Sequence, residues 1–201
     1  MGCFKGTYDE QALPAYTNPN PLMRWLFWQR IKAVLDFLDT IPHLDTVLDF
    51  GCGPGVMLPY LNRRAIRVFA IDLDTTIAEK FASENAFIEV IFSQSIDRVL
   101  NGYAQSCDAI LALDVLEHIN NINEVLQSFV TMLKPGGFLI VTGPTENLIY
   151  RIGRWLAGYS GEYHQRNIYD INKVMQKYFQ VSTTKTLVPL VPLFILYTGQ
   201  V

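Results

Sequence analysis

The spacing of apolar positions changes several times along the chain, and the changes mark its elements. Leu22, Trp25, Leu26, Trp28, Ile31, Leu35 and Leu38 recur at helical spacing, while Arg30, Lys32, Asp36 and Asp39 tend to the other side. This predicts an amphipathic helix over 22–39 that ends before Pro42. Residues 1–20 carry Gly6, Pro14, Asn18, Pro19 and Asn20 with no apolar period, and read as an irregular arm. Beyond Pro42, short apolar runs alternate with helical patterns. "TVLDF", "IRVFAIDLD", "AFIEVIF", "CDAILALD" and "FLIVTGP" are strand candidates. Between them lie the helical segments "VMLPYLNRR", whose Pro59 suits only a first turn, "TTIAEKFASEN", and "INEVLQSFVTMLKPGG", closed by Pro135, Gly136 and Gly137.

Continuously apolar strands separated by helices predict a parallel sheet covered on both faces. The fold class is therefore α/β, doubly wound and mainly parallel. The tail "FQVSTTKTLVPLVPLFILYTGQV" offers two extended runs and no long helix, so it is expected to close the sheet as a C-terminal antiparallel hairpin, bringing the count to seven strands.

Composition narrows the function classes. A chain of 201 residues that is 50% hydrophobic can bury a core without crosslinks, and is expected to form a single unit. Cys3, Cys52 and Cys107 are odd in number and lack metal-ligand spacing, which points to a reducing, cytoplasmic setting and no metal. A net charge of -3 without a basic run leaves no footprint for nucleic acid. "LVPLVPLFILY" is too short to span a bilayer, and "MGCFKGT" has Gly6 where a myristoylation pattern wants Ser or Thr.

The chemistry concentrates in "VLDFGCGPG", residues 47–55. Glycines at the first strand-to-helix turn of such a sheet allow close ligand approach and otherwise forbidden backbone angles. A dinucleotide fingerprint would place its third glycine at Val56; here it is Gly55, and the strand ends in an acid, Asp49. A carboxylate there repels a pyrophosphate and attracts an ammonium group. Asp72 in "AIDLD", about 20 residues past the first glycine, suits both hydroxyls of a ribose. A ribose with a zwitterionic amino acid describes S-adenosyl-L-methionine.

"VLDFGCGPG", "FAIDLD", "CDAILALDVLEHI" and "LKPGGFLIVTGP" follow one another as in class I S-adenosylmethionine-dependent methyltransferases, and residues 45–145 most resemble the type 11 or type 12 small-molecule group. The resemblance implies a Rossmann-like methyltransferase fold. It also implies one methyltransferase domain over 1–201: an N-terminal arm and helix in 1–40, a cofactor-binding core in 45–145, and a substrate-side insertion with closing strands in 146–201. Carried over by residue, Asp49, Gly51, Cys52, Gly53 and Gly55 border the methionine portion, Asp72 holds the ribose and Leu73 packs on the adenine. Gln94 and Ser95 of "FSQSID" take the places that face the adenine edge, with Gln94 standing where the family commonly has an acid. Leu113 and Asp114 border the methionine and the transfer point.

Asp114 and Glu117 are also suited to favouring a following helix through its dipole, and His118 to orienting its segment. Cys52 is expected to fill space, Cys107 to be packed and His43 to be solvated. In "GYSGEYHQRNIYDI", Glu162, Tyr163, His164 and Arg166 form a polar window on the substrate side, where His164 is the candidate base. "LDVLEH" replaces the Asn-Pro-Pro-Tyr-like motif of enzymes that methylate nucleobase amines, and no cysteine stands ready for pyrimidine carbon methylation.

The expected acceptor is therefore a small molecule, plausibly methylated on oxygen, with nitrogen and carbon open. Tryptophan, apolar residues and arginine in 22–39 and in "NLIYRIGRWLAGY" fit ordinary packing, a hydrophobic acceptor or peripheral membrane contact. Two other classes stay open: a non-catalytic S-adenosylmethionine-binding protein and a nicotinamide-dependent oxidoreductase.

Overall fold

The computed structural model describes residues 20–87, 89–145, 166–187 and 193–201. Helix α1 (Pro21–Leu38) precedes β1 (Leu44–Phe50), α2 (Leu58–Leu61), β2 (Ala65–Ile71), α3 (Thr76–Glu84) and β3 (Val90–Ser93). Then follow α4 (Ile96–Leu100), β4 (Cys107–Leu113), a 3-10 turn at Leu116–His118, α5 (Ile122–Met132) and β5 (Leu133–Pro144). The chain closes with α6 (Ile168–Met175), β6 (Gln180–Leu187) and β7 (Phe194–Gln200).

These strands form one seven-stranded sheet in the order β3-β2-β1-β4-β5-β7-β6. The pairs β1-β2, β1-β4, β2-β3 and β4-β5 are parallel, while β7 lies antiparallel between β5 and β6. The expected hairpin thus closes the sheet with its second strand inside. Strand order reverses between β1 and β4, and in open α/β sheets ligands bind at the carboxyl ends beside such a reversal.

Strand side chains alternate between two apolar layers, as the two-residue pleat requires. Leu48, Phe69, Ile71, Ile110, Leu139 and Val141 face one layer, filled by Leu126 and Phe129 of α5 and Ile171 and Met175 of α6. Val47, Val68, Ala109, Leu111 and Ile140 face the other, filled by Ile31, Val34 and Leu38 of α1 with Ala78 and Ala82 of α3. Covering both faces explains why the strands read as unbroken apolar runs.

Several local expectations shift. The helix expected over "VMLPYLNRR" is the single turn α2, with Pro59 in its first positions. Helix α5 ends at Met132, before Pro135, because proline disfavours helical angles at the residue preceding it. Lys134 instead runs into β5 and its ammonium meets Asp108 at 2.6 Å and Asp45 at 3.0 Å. Strand β3 begins at Val90 because Ala86 and Glu89 take left-handed angles, φ 52° and 55°. The window "GYSGEYHQRNIYDI" divides. His164, Glu162 and Tyr163 lie outside the described residues, as does 147–159, whereas Ile168 opens α6, capped by the Asn167 side chain accepting from the amides of Tyr169 and Asp170.

Helix α1 contains the largest correction. Trp25, expected on the covered side, is 49% exposed, and Arg30, expected toward solvent, is 4% exposed. Leu26, Arg30, Val34 and Leu38 form an i, i+4 row that is buried throughout.

Candidate functional site

The turn after β1 is tied to the end of β2. The amides of Gly51 and Cys52 donate to the Ile71 carbonyl at 2.8 and 3.0 Å, and the Gly53 amide donates to Asp72 Oδ2 at 2.7 Å. Asp72, expected to serve a ribose, therefore also holds the loop. Gly51, Gly53 and Gly55 all have positive φ, at 77°, 51° and 83°. At Gly51 an added Cβ would lie 2.6 Å from Val115 Cγ2, and at Gly55 2.7 Å from Leu58 Cδ1. At those two positions the missing side chain also serves the protein's own packing, of the segment after β4 and of α2 respectively, beside the ligand approach and unusual backbone angles that the sequence suggested.

Asp49 is 2% exposed, and its Oδ2 has no hydrogen-bond partner among the described residues. Burial, and secondarily the charge of Asp72, push its carboxyl up to about 7. The sequence presented this acid as a fixed negative charge, whereas burial leaves it close to half protonated at neutral pH. A buried polar atom without a partner is costly unless something meets it. Cys52 is buried beside it, and its thiol is pushed well up, first by burial and then by Asp49 and Asp72, which suits a filler rather than a nucleophile. Cys107 is fully buried, with its thiol raised to about 11 by burial.

Leu73 follows β2 and is 90% exposed, an unusual setting for a leucine at a sheet's carboxyl edge. Gln94 is exposed after β3. The Ser95 amide, expected to meet an adenine ring, donates to Ser93 Oγ at 3.2 Å, and the Ser95 hydroxyl accepts from the Asp97 amide to cap α4. Those internal bonds already occupy Ser95.

At the end of β4, Leu113 is half-buried and stands in register with Thr142. Asp114 has φ 51°, uncommon for a residue with a side chain. Its Oδ2 pairs with Arg30 of α1, and its Oδ1 accepts the Thr142 hydroxyl at 3.1 Å. Neither Asp114 nor Glu117 starts a long helix, since α5 begins only at Ile122. Glu117 is 1% exposed, His118 is exposed, and Arg166 donates to the carbonyls of Ile119 at 2.6 Å and Asn120 at 3.2 Å, bracing that loop.

Turn, Asp49, Asp72, Leu73, Leu113 and Asp114 thus gather at the carboxyl edge beside the strand-order reversal. Two residues were missed there, Arg30 and Thr142. The buried i, i+4 row could have exposed Arg30; Thr142, inside an apolar strand, gave no signal. Among the described residues no cluster of three His, Cys, Asp or Glu could hold a metal, and no helix is long and apolar enough to cross a membrane.

Known proteins resemble this chain in sequence and in fold. A ubiquinone biosynthesis O-methyltransferase from Rickettsia bellii is 29% identical over 152 residues, covering 73% of this chain and 61% of that protein. The mitochondrial ubiquinone biosynthesis O-methyltransferase of Rattus norvegicus is 33% identical over 105 residues, 48% of this chain and 30% of that one. The matches thus span less than two thirds of these relatives' length. Among solved structures, magnesium protoporphyrin IX methyltransferase from Synechocystis PCC 6803, with bound S-adenosylhomocysteine, superposes with TM-score 0.67 at 19% identity, covering 96% of this chain and 90% of that one. The N-methyltransferase NodS from Bradyrhizobium japonicum, also with S-adenosyl-L-homocysteine, gives 0.66 at 15% identity, covering 94% and 92%. At such identities the likeness is one of fold. Residues 23–181 match the family described as methyltransferase domain, so the chain belongs to that family, with the fold of the class I S-adenosylmethionine-dependent methyltransferases.

Proposed function

We propose that this protein is an S-adenosylmethionine-dependent methyltransferase acting on a small, hydrophobic acceptor, with oxygen as the acceptor atom. The observation that carries the proposal is Asp49: a buried carboxylate with an unpartnered oxygen, beside a glycine turn, calls for a cationic group. The residues present fit the cofactor. Asp49 and the turn Gly51, Cys52, Gly53 and Gly55 would take its ammonium-bearing end, Asp72 Oδ1 its ribose hydroxyls, and exposed Leu73 its flat ring, with Gln94 at the ring's edge. When bound, it supplies an electrophilic methyl group on a sulfonium.

The chain's own contribution is alignment, which can account for much of such a displacement's rate. Leu113 and Asp114 bound the place where an acceptor would be aligned. Because both Asp114 oxygens are already engaged, Asp114 orients rather than abstracts a proton, and His164 is left as the candidate base. Oxygen transfer and a hydrophobic, phenol-like acceptor draw support from the relatives' names. We treat residues 1–201 as one domain, cytoplasmic on the strength of its buried free thiols Cys52 and Cys107, with exposed Trp25 as the place for any peripheral membrane contact.

The test is transfer of a labelled methyl group from S-adenosylmethionine to catechol and to catechols carrying alkyl chains. Formation of an aryl methyl ether, faster as the chain lengthens, is expected. Equal rates for all chain lengths would sink the hydrophobic acceptor, and products labelled only on nitrogen or carbon of other acceptors would sink the oxygen assignment. A second reading, a non-catalytic cofactor-binding protein, is favoured by the prior engagement of both Asp114 oxygens. Cofactor binding without turnover on any acceptor class would support it.

A further inference from the structure

Helix α1 does more than cover the sheet, because one of its buried residues is charged. Arg30 lies on the row Leu26, Arg30, Val34, Leu38, where an apolar residue would pack without desolvating a cation. Its guanidinium stands 5.0 Å from the Phe27 ring centre and 5.4 Å from that of Phe194, flanked by α1 and by the start of β7. Such rings favour a cation over them and fix the plane of the guanidinium. The group reaches Asp114 Oδ2, while Thr142 of β5 donates to Asp114 Oδ1 and the Asp114 amide donates to the Thr142 carbonyl at 3.1 Å.

Asp114 is thereby held from two sides in a left-handed conformation that strand geometry would not give it. Its side chain remains 22% exposed, against 5% for Arg30. The pair is buried at its Arg30 end and partly exposed at its Asp114 end, at the carboxyl end of β4. Among the described residues no other ion pair reaches Asp114. If the pair served only to attach α1, apolar contact would do so without burying charge. Each oxygen of a carboxylate can accept more than one hydrogen bond, so a partly exposed carboxylate fixed in place by Arg30 and Thr142 is instead suited to accept a further one from an incoming hydroxyl.

We propose that Arg30 is a positioning residue for methyl transfer: it holds the Asp114 carboxylate in place at the carboxyl end of β4, where an acceptor hydroxyl docks. The inference rests on the reading that places the transfer point beside Asp114. Arg30 touches neither donor nor acceptor and acts through that carboxylate. A lysine at this position keeps the charge but loses the guanidinium's contact with the Phe27 and Phe194 rings, so it is a partial substitute.

The test compares Arg30→Met, Arg30→Lys and Asp114→Asn with the unaltered protein. Side-chain carboxyl resonances of aspartate are followed against pH by carbon NMR, with Asp114→Asn supplying the assignment. Arg30→Met should raise the Asp114 titration midpoint by more than one pH unit, a more than tenfold gain in proton affinity, and Arg30→Lys should restore most of the shift. An unchanged midpoint in Arg30→Met overturns the proposal. Titration with S-adenosylhomocysteine should give affinities within about threefold of the parent for both Arg30 variants, since the cofactor meets Asp49 and Asp72 instead. A collapse of that affinity would assign Arg30 to the cofactor pocket and overturn the proposal also.

With catechol and S-adenosylmethionine, kcat/KM should fall at least tenfold in Arg30→Met and recover in part in Arg30→Lys. Equal values overturn it. If the parent binds S-adenosylhomocysteine yet does not methylate catechol, the phenolic acceptor reading fails by itself and the Asp114 titration decides the role of Arg30.

Discussion

A cofactor carrying an ammonium should bind more tightly as pH rises through neutrality, because Asp49 must ionise to receive it. With the unliganded carboxyl near 7, about 9% of Asp49 is ionised at pH 6 and about 76% at pH 7.5. If the bound state requires the ionised form, the affinity for S-adenosylhomocysteine should rise about eightfold over that interval, roughly 1.2 kcal/mol. The same linkage implies release of about half a proton per ligand bound at pH 7. Calorimetric titration at pH 6.0, 6.5, 7.0 and 7.5, repeated in two buffers of different ionisation enthalpy, reads both quantities. In Asp49→Asn the affinity should be weaker and its pH slope should vanish. An affinity flat across the interval, or an equal slope in Asp49→Asn, would refute the link between this carboxyl and the ligand.

The same residue sets a stability trend. The folded carboxyl is raised above its unfolded value of 3.8, so the folded state holds the proton more tightly. Stability is therefore fully present below about 4, declines as pH rises toward 7 and stays reduced above it. Asp49→Asn should raise the Tm of the unliganded protein at pH 8 and leave it little changed at pH 4, as followed by circular dichroism. Gly51→Ala combines a φ of 77° with a Cβ contact of 2.6 Å to Val115, and should cost about 2–4 kcal/mol in urea unfolding. Leu73→Ser, at a 90% exposed position, should leave stability within about 0.5 kcal/mol yet weaken S-adenosylhomocysteine binding severalfold. Asp72→Ala should weaken binding more strongly, since it removes both a ligand contact and the acceptor of the Gly53 amide.

The α/β class, the closing hairpin and the turn after β1 were legible because they depend on local signals: apolar period, glycine placement and an acid at a strand's end. Boundaries were less so where a tertiary partner decides them, as at Lys134, drawn into β5 by Asp45 and Asp108, and at Glu89, where a left-handed angle delays β3. The site showed the same division. Asp49 and Asp72 announce themselves by spacing, whereas Arg30 shows only through the otherwise apolar i, i+4 row of Leu26, Val34 and Leu38, since a helical wheel assigns charge to the solvent side and its carboxylate partner lies elsewhere in the chain. Asp114 lies 84 residues from Arg30, and no local pattern joins them. Ser95 is engaged locally, its hydroxyl capping α4 and its amide bonded to Ser93, which spacing alone does not reveal.

Calorimetric titration with S-adenosylhomocysteine, run beside NADH at pH 7.5, tests the central assignment most directly. Saturable one-to-one binding of S-adenosylhomocysteine, lost in Asp72→Ala, with no heat from NADH, is the expected result. Binding of NADH at micromolar concentration with none of S-adenosylhomocysteine would contradict it.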